Sequence, residues 1–258
     1  MSGSLRPYLD FAMDTAYQAG RLTLGCFSTG ILPEMKPDDS LITIADRRAE
    51  EFIAGRIEKN YPDHAILGEE YGLREKGAAS HRWIIDPIDG TIGFVHGVPL
   101  YGVLIGLEIE GSVEVGVAYF PALDEIVAAA TGEGCFWNGR RSHVSTVSSL
   151  SRAFVVHCDV KNFDEYNRQV EWERIKNASY ATTGLGDAYG YALVATGRAE
   201  LMLDPRLHIW DCAPFPPILT EAGGYYGDWQ GQITITADKA LATSKALLPE
   251  VLRVIRGD

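Results

Sequence analysis

No apolar run in this 258-residue chain approaches the roughly 18 residues that cross a membrane. The first residues, MSGSLRPYLDFAMD, lack the basic-then-apolar layout of a secretory leader. Cysteine is sparse. Cys26, Cys135, Cys158 and Cys212 lie far apart and make no metal-type pair, so they read as reduced, buried residues of a cytoplasmic protein rather than a disulfide framework. Positive charge is in short supply: 23 Lys and Arg face 35 Asp and Glu, for a net charge of −12. That balance argues against a nucleic-acid partner or an acidic membrane surface. It also makes an anionic substrate awkward unless cations intervene. There is no internal repeat and no low-complexity segment. What is there is ordinary for a folded protein, 46% hydrophobic and 22% charged, and long enough for one large domain or two intimate halves.

The chain centres on WIIDPIDGT, residues 83–91. Trp83, Ile84 and Ile85 read as a buried strand that Asp86 ends, because Pro87 has no N–H to continue a central ladder. Asp89 follows, then Gly90 and Thr91. Two carboxylates therefore meet at a strand end beside a glycine that admits a ligand close to the backbone, and carboxylate oxygens suit Mg²⁺ or Mn²⁺. Taken alone, the same residues read equally well as an Asp-Pro turn and a helix cap.

Elsewhere, spacing predicts a packing helix from about Pro7 to Ser28, a loop holding Lys36, and a short strand Leu41 to Ala45. Asp46 then caps a helix from Arg47 to Asn60. Ala65 to Leu67 is a strand. It ends at Gly68-Glu69-Glu70, where at most one glutamate is expected to face inward. Residues 72–81 read as a mobile loop. A hairpin follows, Tyr101 to Glu110 and Val113 to Phe120 around Gly111-Ser112, then a strand Glu125 to Ala130 with a turn from Gly132 to Phe136. Residues 144–150 link to a second half, which gives two units, 1–147 and 148–258. The second contains a strand Ala153 to His157, a helix Asp164 to Asn177, a glycine loop Gly184 to Asp187, and a helix Tyr189 to Thr196. A strand Ala199 to Leu203 ends at Asp204. A helix Cys212 to Ala222 follows Asp211, two short strands lie between Tyr225 and Thr236, and a helix Leu247 to Arg256 closes the chain.

Asp46, Glu69, Asp86, Asp89 and Asp211 all fall where a strand or loop enters a turn or helix. Such positions collect on one rim of a sheet-based fold. Carboxylates gathered there cannot all stay ionised without cations, and two or three divalent ions would resolve the conflict. Metals of that kind clamp a phosphate and activate water, while the N–H groups of Gly90 and Thr91 would hold phosphate oxygens if a helix starts there. This is the chemistry of metal-assisted phosphoester hydrolysis. No Ser-His-Asp set, Cys nucleophile or Gly-rich nucleotide loop competes with it.

GEE at 68–70, WIIDPIDGT at 83–91 and WDCAP…EAGG at 210–224 resemble the inositol-monophosphatase family of Mg²⁺-dependent phosphatases, over nearly the whole chain. The resemblance implies an α+β fold, a layered αβαβα sandwich of the inositol-monophosphatase and fructose-bisphosphatase type, usually as a homodimer. It implies Glu69, Asp86, Asp89, Asp211 and the Ile88 carbonyl as metal ligands, for two or three Mg²⁺ per site or Mn²⁺. Asp46 would hold a further metal or its water. Thr91 with Glu69 would orient the attacking water, Glu70 would stand behind the ligands, and Lys36 falls at a family lysine near the site. The substrate would be a small phosphorylated molecule.

ILGEEYG at 66–72, GVPLYGVLIGL at 97–107, GLGDAYGYALVATGRAEL at 184–201, LDP at 203–205 and GDWQG at 227–231 resemble the histidinol-phosphate phosphatases of the family. An acid at 187, with Asp204, suits an ammonium better than a neutral polyol; the alternative role for Asp187 is to cap the helix from Tyr189. Ile92-Gly93, in place of a Lys-Ser pair, and His96 look more like the inositol branch. The alternatives are thus an inositol-1-phosphatase or broad sugar and polyol phosphatase. A non-catalytic regulator on the same fold fits less well, since every candidate ligand is present.

Overall fold

The structure is a computed structural model that describes residues 4–75 and 79–258. Two sheets carry it: an eight-stranded sheet built from residues 65–141 and a five-stranded one from residues 154–244. In the large sheet, Gly102–Ile109, Ser112–Phe120 and Glu125–Ala130 form an antiparallel meander on the central strand His81–Asp89. Ala65–Gly68 lies parallel to His81–Asp89 on the other side.

These strands are apolar on both faces, as strands covered on both sides must be. Val103, Ile105, Leu107, Val117 and Ala128 face helices Arg6–Leu24 and Ile44–Asn60 through Leu9, Ala16, Ile53 and Ile57. The alternate residues Leu104, Ala118, Val127 and Ala129 face helices Asp187–Ala195 and Phe215–Glu221, which rest in turn on Met202 and Ala242 of the small sheet. The outer face of the small sheet, with Val155, Leu201, Leu203 and Leu241, is covered by Trp172, Ile175, Val251 and Ile255 from helices Gln169–Ala178 and Leu248–Arg256. The result is the expected layered αβαβα sandwich.

Local expectations change in several places. The central strand does not end at Asp86. It runs to Asp89 with one extra residue relative to its partner, Asp86 opposite Leu104 and Asp89 opposite Gly102, and Pro87 sits in that bulge. Asp46 is the third residue of helix Ile44–Asn60, capped by Thr43. Gly72–Arg74, expected to be loop, pairs with Ala65–Gly68, and residues 76–78 of that segment lie outside the described residues. The hairpin turns on Glu110 and Gly111, both at positive φ. Gly134–Trp137 is a strand rather than a turn. The helix expected over 164–177 is two, Val160–Glu165 and Gln169–Ala178, separated at Asn167 with φ +56°. The second strand expected before Thr236 is Ala240–Ser244.

Candidate metal centre

The bulge decides where the two central carboxylates point. Residues three apart on a regular strand face opposite sides, and one extra residue restores them to the same side. Asp86 and Asp89 thus share a face. Glu69 follows the adjacent parallel strand, and its N–H donates to the Ile85 carbonyl at 3.2 Å, which places it beside Asp86. Asp211 arrives from the other half as the third residue of the short helix Ile209–Cys212. Oxygens of Asp86, Asp89 and Asp211 all lie within 4.8 Å of one another. They line a cleft of about 260 Å³ together with Lys36, Glu69, Ile88, Gly90, Thr91, Asp187, His208 and Trp210.

Each acid is aimed by one main-chain N–H. Ile88 donates to Asp86 Oδ1 at 3.0 Å, Ala188 to Asp89 Oδ2 at 2.8 Å, His208 to Asp211 Oδ2 at 2.7 Å, and Thr43 to Asp46 Oδ2 at 2.8 Å. The Thr43 hydroxyl also donates to Asp46 Oδ2, at 2.6 Å. Among the described residues no side-chain cation pairs with any of these four aspartates. Lys36, the basic side chain in the cleft, donates to Glu69 at 2.8 Å and Glu70 at 2.9 Å. Both glutamates therefore turn inward, contrary to expectation, because one ammonium takes both.

The electrostatics follow from that shortage of cations. Burial raises the pKa of Asp86 and Asp89 well above the carboxylate range; Glu69, Asp89 and Asp211 add to it at Asp86, and Asp187 and Asp211 at Asp89. Asp211 is pushed up to about 7, first by burial, against the pull of the His208 N–H. Burial likewise raises Asp46, and lifts Glu70 to about 7 although Lys36 opposes it. Burial alone would lower the Lys36 ammonium, but Glu69 and Glu70 together outweigh it and raise it. Converging oxygen donors that repel one another and have no paired cation fit a hard divalent ion.

Thr91 begins the short helix Thr91–Val95. Its hydroxyl lies 3.0 Å from the Ile88 carbonyl, to which it donates, and 3.4 Å from Asp46 Oδ1. Gly90 adopts φ +79°, which favours glycine, and a Cβ there would stand a tight 3.0 Å from Asp187 Oδ2. Asp187 has φ +57°, rare for a residue with a side chain. It is the first residue of helix Asp187–Ala195, whose N-cap is Gly186. It stays open to solvent at the cleft wall, and crowding by the surrounding protein, then the nearby Asp159, raises its pKa. Asp204 departs from expectation: it does not line the cleft. It is buried beneath, accepts the Arg206 N–H at 3.2 Å, and is driven to about 8, chiefly by burial. Ile92 and His96 also lie off the cleft, and the His96 ring rests against the Ile92 carbonyl at 2.8 Å.

Sequence reasoning missed Glu50. It is 1% exposed and accepts the N–H groups of Glu70 at 2.8 Å and Tyr71 at 3.1 Å. A Cβ on Gly68 would collide with it, at 1.8 Å. Glu50 thus holds the turn that delivers Glu69. The available signal was its position one helical turn beyond Asp46, on the same face. His208 and Trp210 were also missed as cleft residues; their rings stack at 5.0 Å.

The chain matches known proteins over nearly its whole length. The profile of the inositol monophosphatase family matches residues 4–257. A histidinol-phosphatase of Chlorobaculum parvum is 41% identical over 241 residues, 93% of each chain. An inositol-1-monophosphatase of Mesorhizobium japonicum is 31% identical over 255 residues, 96% of each chain. The crystal structure of the extragenic suppressor protein SuhB of Bartonella henselae superposes with a TM-score of 0.90 at 28% identity, covering 97% of this chain and 98% of that one. This chain belongs to the inositol monophosphatase family of metal-dependent phosphatases.

Proposed function

We propose that this phosphatase hydrolyses L-histidinol phosphate to L-histidinol and phosphate, in histidine biosynthesis, as a cytoplasmic homodimer. The observation that carries the reading is the Asp187 carboxylate, open at the cleft wall beside Gly90 and without a cation among the described residues. A substrate whose phosphate neighbours an ammonium would place its charge there. Asp89 and Asp211 would contribute to the same substrate site, whereas Asp204, buried and off the cleft wall, would not touch the substrate. The Chlorobaculum relative's name supports the same choice. The residues that would favour an inositol phosphate, Ile92, Gly93 and His96, lie outside the cleft wall.

Glu69, Asp86, Asp89, Asp211 and the Ile88 carbonyl would hold two or three Mg²⁺, or Mn²⁺, with Asp46 serving a further ion or its water. A divalent ion so bound supplies Lewis acidity toward the phosphate and the attacking water. The chain supplies the rest. Thr91 and Glu69 would orient the water, the Thr91 hydroxyl resting between the Ile88 carbonyl and Asp46 Oδ1. The N–H groups of Gly90 and Thr91 receive phosphate oxygens. Lys36 donates to both Glu69 and Glu70 and offsets one of their two negative charges beside the site.

Asp187→Asn tests the assignment. It should lower kcat/KM for histidinol phosphate by about tenfold or more, on the order of 1.4 kcal/mol, and leave inositol 1-phosphate hydrolysis nearly unchanged. Equal losses on the two substrates would contradict it.

A further inference from the structure

Helix Asp187–Ala195 does two things in its first turn. Asp187 faces the cleft, and the Ala188 N–H aims Asp89. The helix belongs to the second half of the chain, whereas Asp89 belongs to the large sheet, so the position of one against the other has to be fixed. Tyr189, the next residue, sends its hydroxyl to Glu125 Oε2 at 3.3 Å. Glu125 begins strand Glu125–Ala130 of the large sheet and is 7% exposed. The far end of the helix returns to the same carboxylate. Gly197 turns the chain at φ +70°, and the Arg198 guanidinium forks onto both Glu125 oxygens, with Nη1 also 3.3 Å from the Tyr189 hydroxyl. Arg198 Nε donates to Thr196 Oγ1 at 2.8 Å. The guanidinium lies over the Trp137 ring at 4.3 Å, and the Tyr189 ring meets Phe120 edge-on at 5.0 Å.

We propose that Glu125, Tyr189 and Arg198 are positioning residues that lock helix Asp187–Ala195 to the large sheet and thereby set the Asp89 carboxylate for the metal and Asp187 for the substrate. A forked Arg–carboxylate pair fixes direction as well as distance. A partly buried pair of this kind, with the Arg198 side chain 28% exposed, adds little net stability, so its value lies in geometry. Three large-sheet residues, Phe120, Glu125 and Trp137, hold the two ends of one helix. A shift of that helix moves the Ala188 N–H away from Asp89, and displacements of about 1 Å at such a distance from the chemistry cost on the order of 100-fold in rate.

The inference rests on the reading of Asp89 as a metal ligand, and not on which phosphomonoester is the substrate. Its test therefore uses Mn²⁺ binding by calorimetry on the full chain without substrate, beside thermal unfolding and turnover of p-nitrophenyl phosphate. Tyr189→Phe removes one hydroxyl and keeps the ring packing. It should weaken Mn²⁺ binding several-fold at an almost unchanged thermal midpoint. The double variant Glu125→Met/Arg198→Met leaves no unpaired charge. It should unfold near the parent midpoint while Mn²⁺ affinity falls about tenfold, within the range seen when groups behind a ligand are removed, and kcat/KM falls with it. Parent-like Mn²⁺ affinity in Tyr189→Phe, or in a folded double variant, would overturn the proposal and leave the trio a structural clasp. A result against histidinol phosphate as substrate would not move the Mn²⁺ isotherms.

Discussion

Asp89 and Ala188 are 99 residues apart in the chain, and the Ala188 N–H donates to Asp89 Oδ2 at 2.8 Å. That bond spends one lone pair of Asp89 on orientation, while a carboxylate oxygen of Asp89 lies within 4.8 Å of oxygens of Asp86 and Asp211. Asp89→Asn keeps the shape and removes the charge. The variant should lose about 10³-fold or more in turnover at saturating Mg²⁺, equivalent to roughly 4 kcal/mol. It should stay folded by circular dichroism, since a repelling charge has been taken away. Phosphate release within tenfold of the parent would contradict a cation held by these acids.

Acidity should govern the stability of the metal-free protein. Asp86 and Asp89 are raised by burial, and Asp211, Glu70 and Asp204 are raised to about 7, 7 and 8. A carboxyl whose pKa is higher in the folded state binds more protons folded than unfolded between the two values. Stability then falls as pH rises through that window. In chelator, the thermal midpoint should drop from about pH 5 to pH 8. Mg²⁺ binds the ionised cluster, so its stabilising shift should grow over the same range. A midpoint in chelator that rises toward pH 8 would contradict the buried, cation-starved cluster.

Glu50 offers a test of the support beneath Glu69. It accepts two N–H groups, from Glu70 and Tyr71, and a Gln would turn a donor toward one of them. Glu50→Gln should destabilise the protein by about 1–3 kcal/mol, the usual penalty for a buried polar group left unpaired. It should also raise the Mg²⁺ concentration needed for half activity, because the Gly68–Glu69–Glu70 turn loses its holder. Unchanged stability together with unchanged Mg²⁺ dependence would show that the turn needs no such support.

Much of the layered fold was legible because its strands are buried on both faces and its helices carry one apolar face. Val103 to Leu107 announces itself as a strand by composition alone. The central bulge was not legible. Pro87 signals a break, and only pairing against Leu104 and Gly102 reveals that the strand absorbs it and continues. Asp46, Glu69, Asp86, Asp89 and Asp211 were legible as acids at element ends. Glu50 was hidden because an acid on a helix face reads as solvated, and its burial depends on a turn 20 residues away. Asp204 shows the converse: the resemblance places it at the substrate, yet at the end of strand Leu201–Asp204 it is buried.

Substrate choice tests the account most directly. With Mg²⁺ present, kcat/KM should be measured for histidinol phosphate, inositol 1-phosphate, fructose 1,6-bisphosphate and adenosine 3′,5′-bisphosphate, since discrimination resides in that ratio. The placement of Asp187 predicts a preference for histidinol phosphate of about 100-fold, roughly 2.7 kcal/mol. A flat profile, or a preference for inositol 1-phosphate, would contradict it and shift the weight to Ile92, Gly93 and His96.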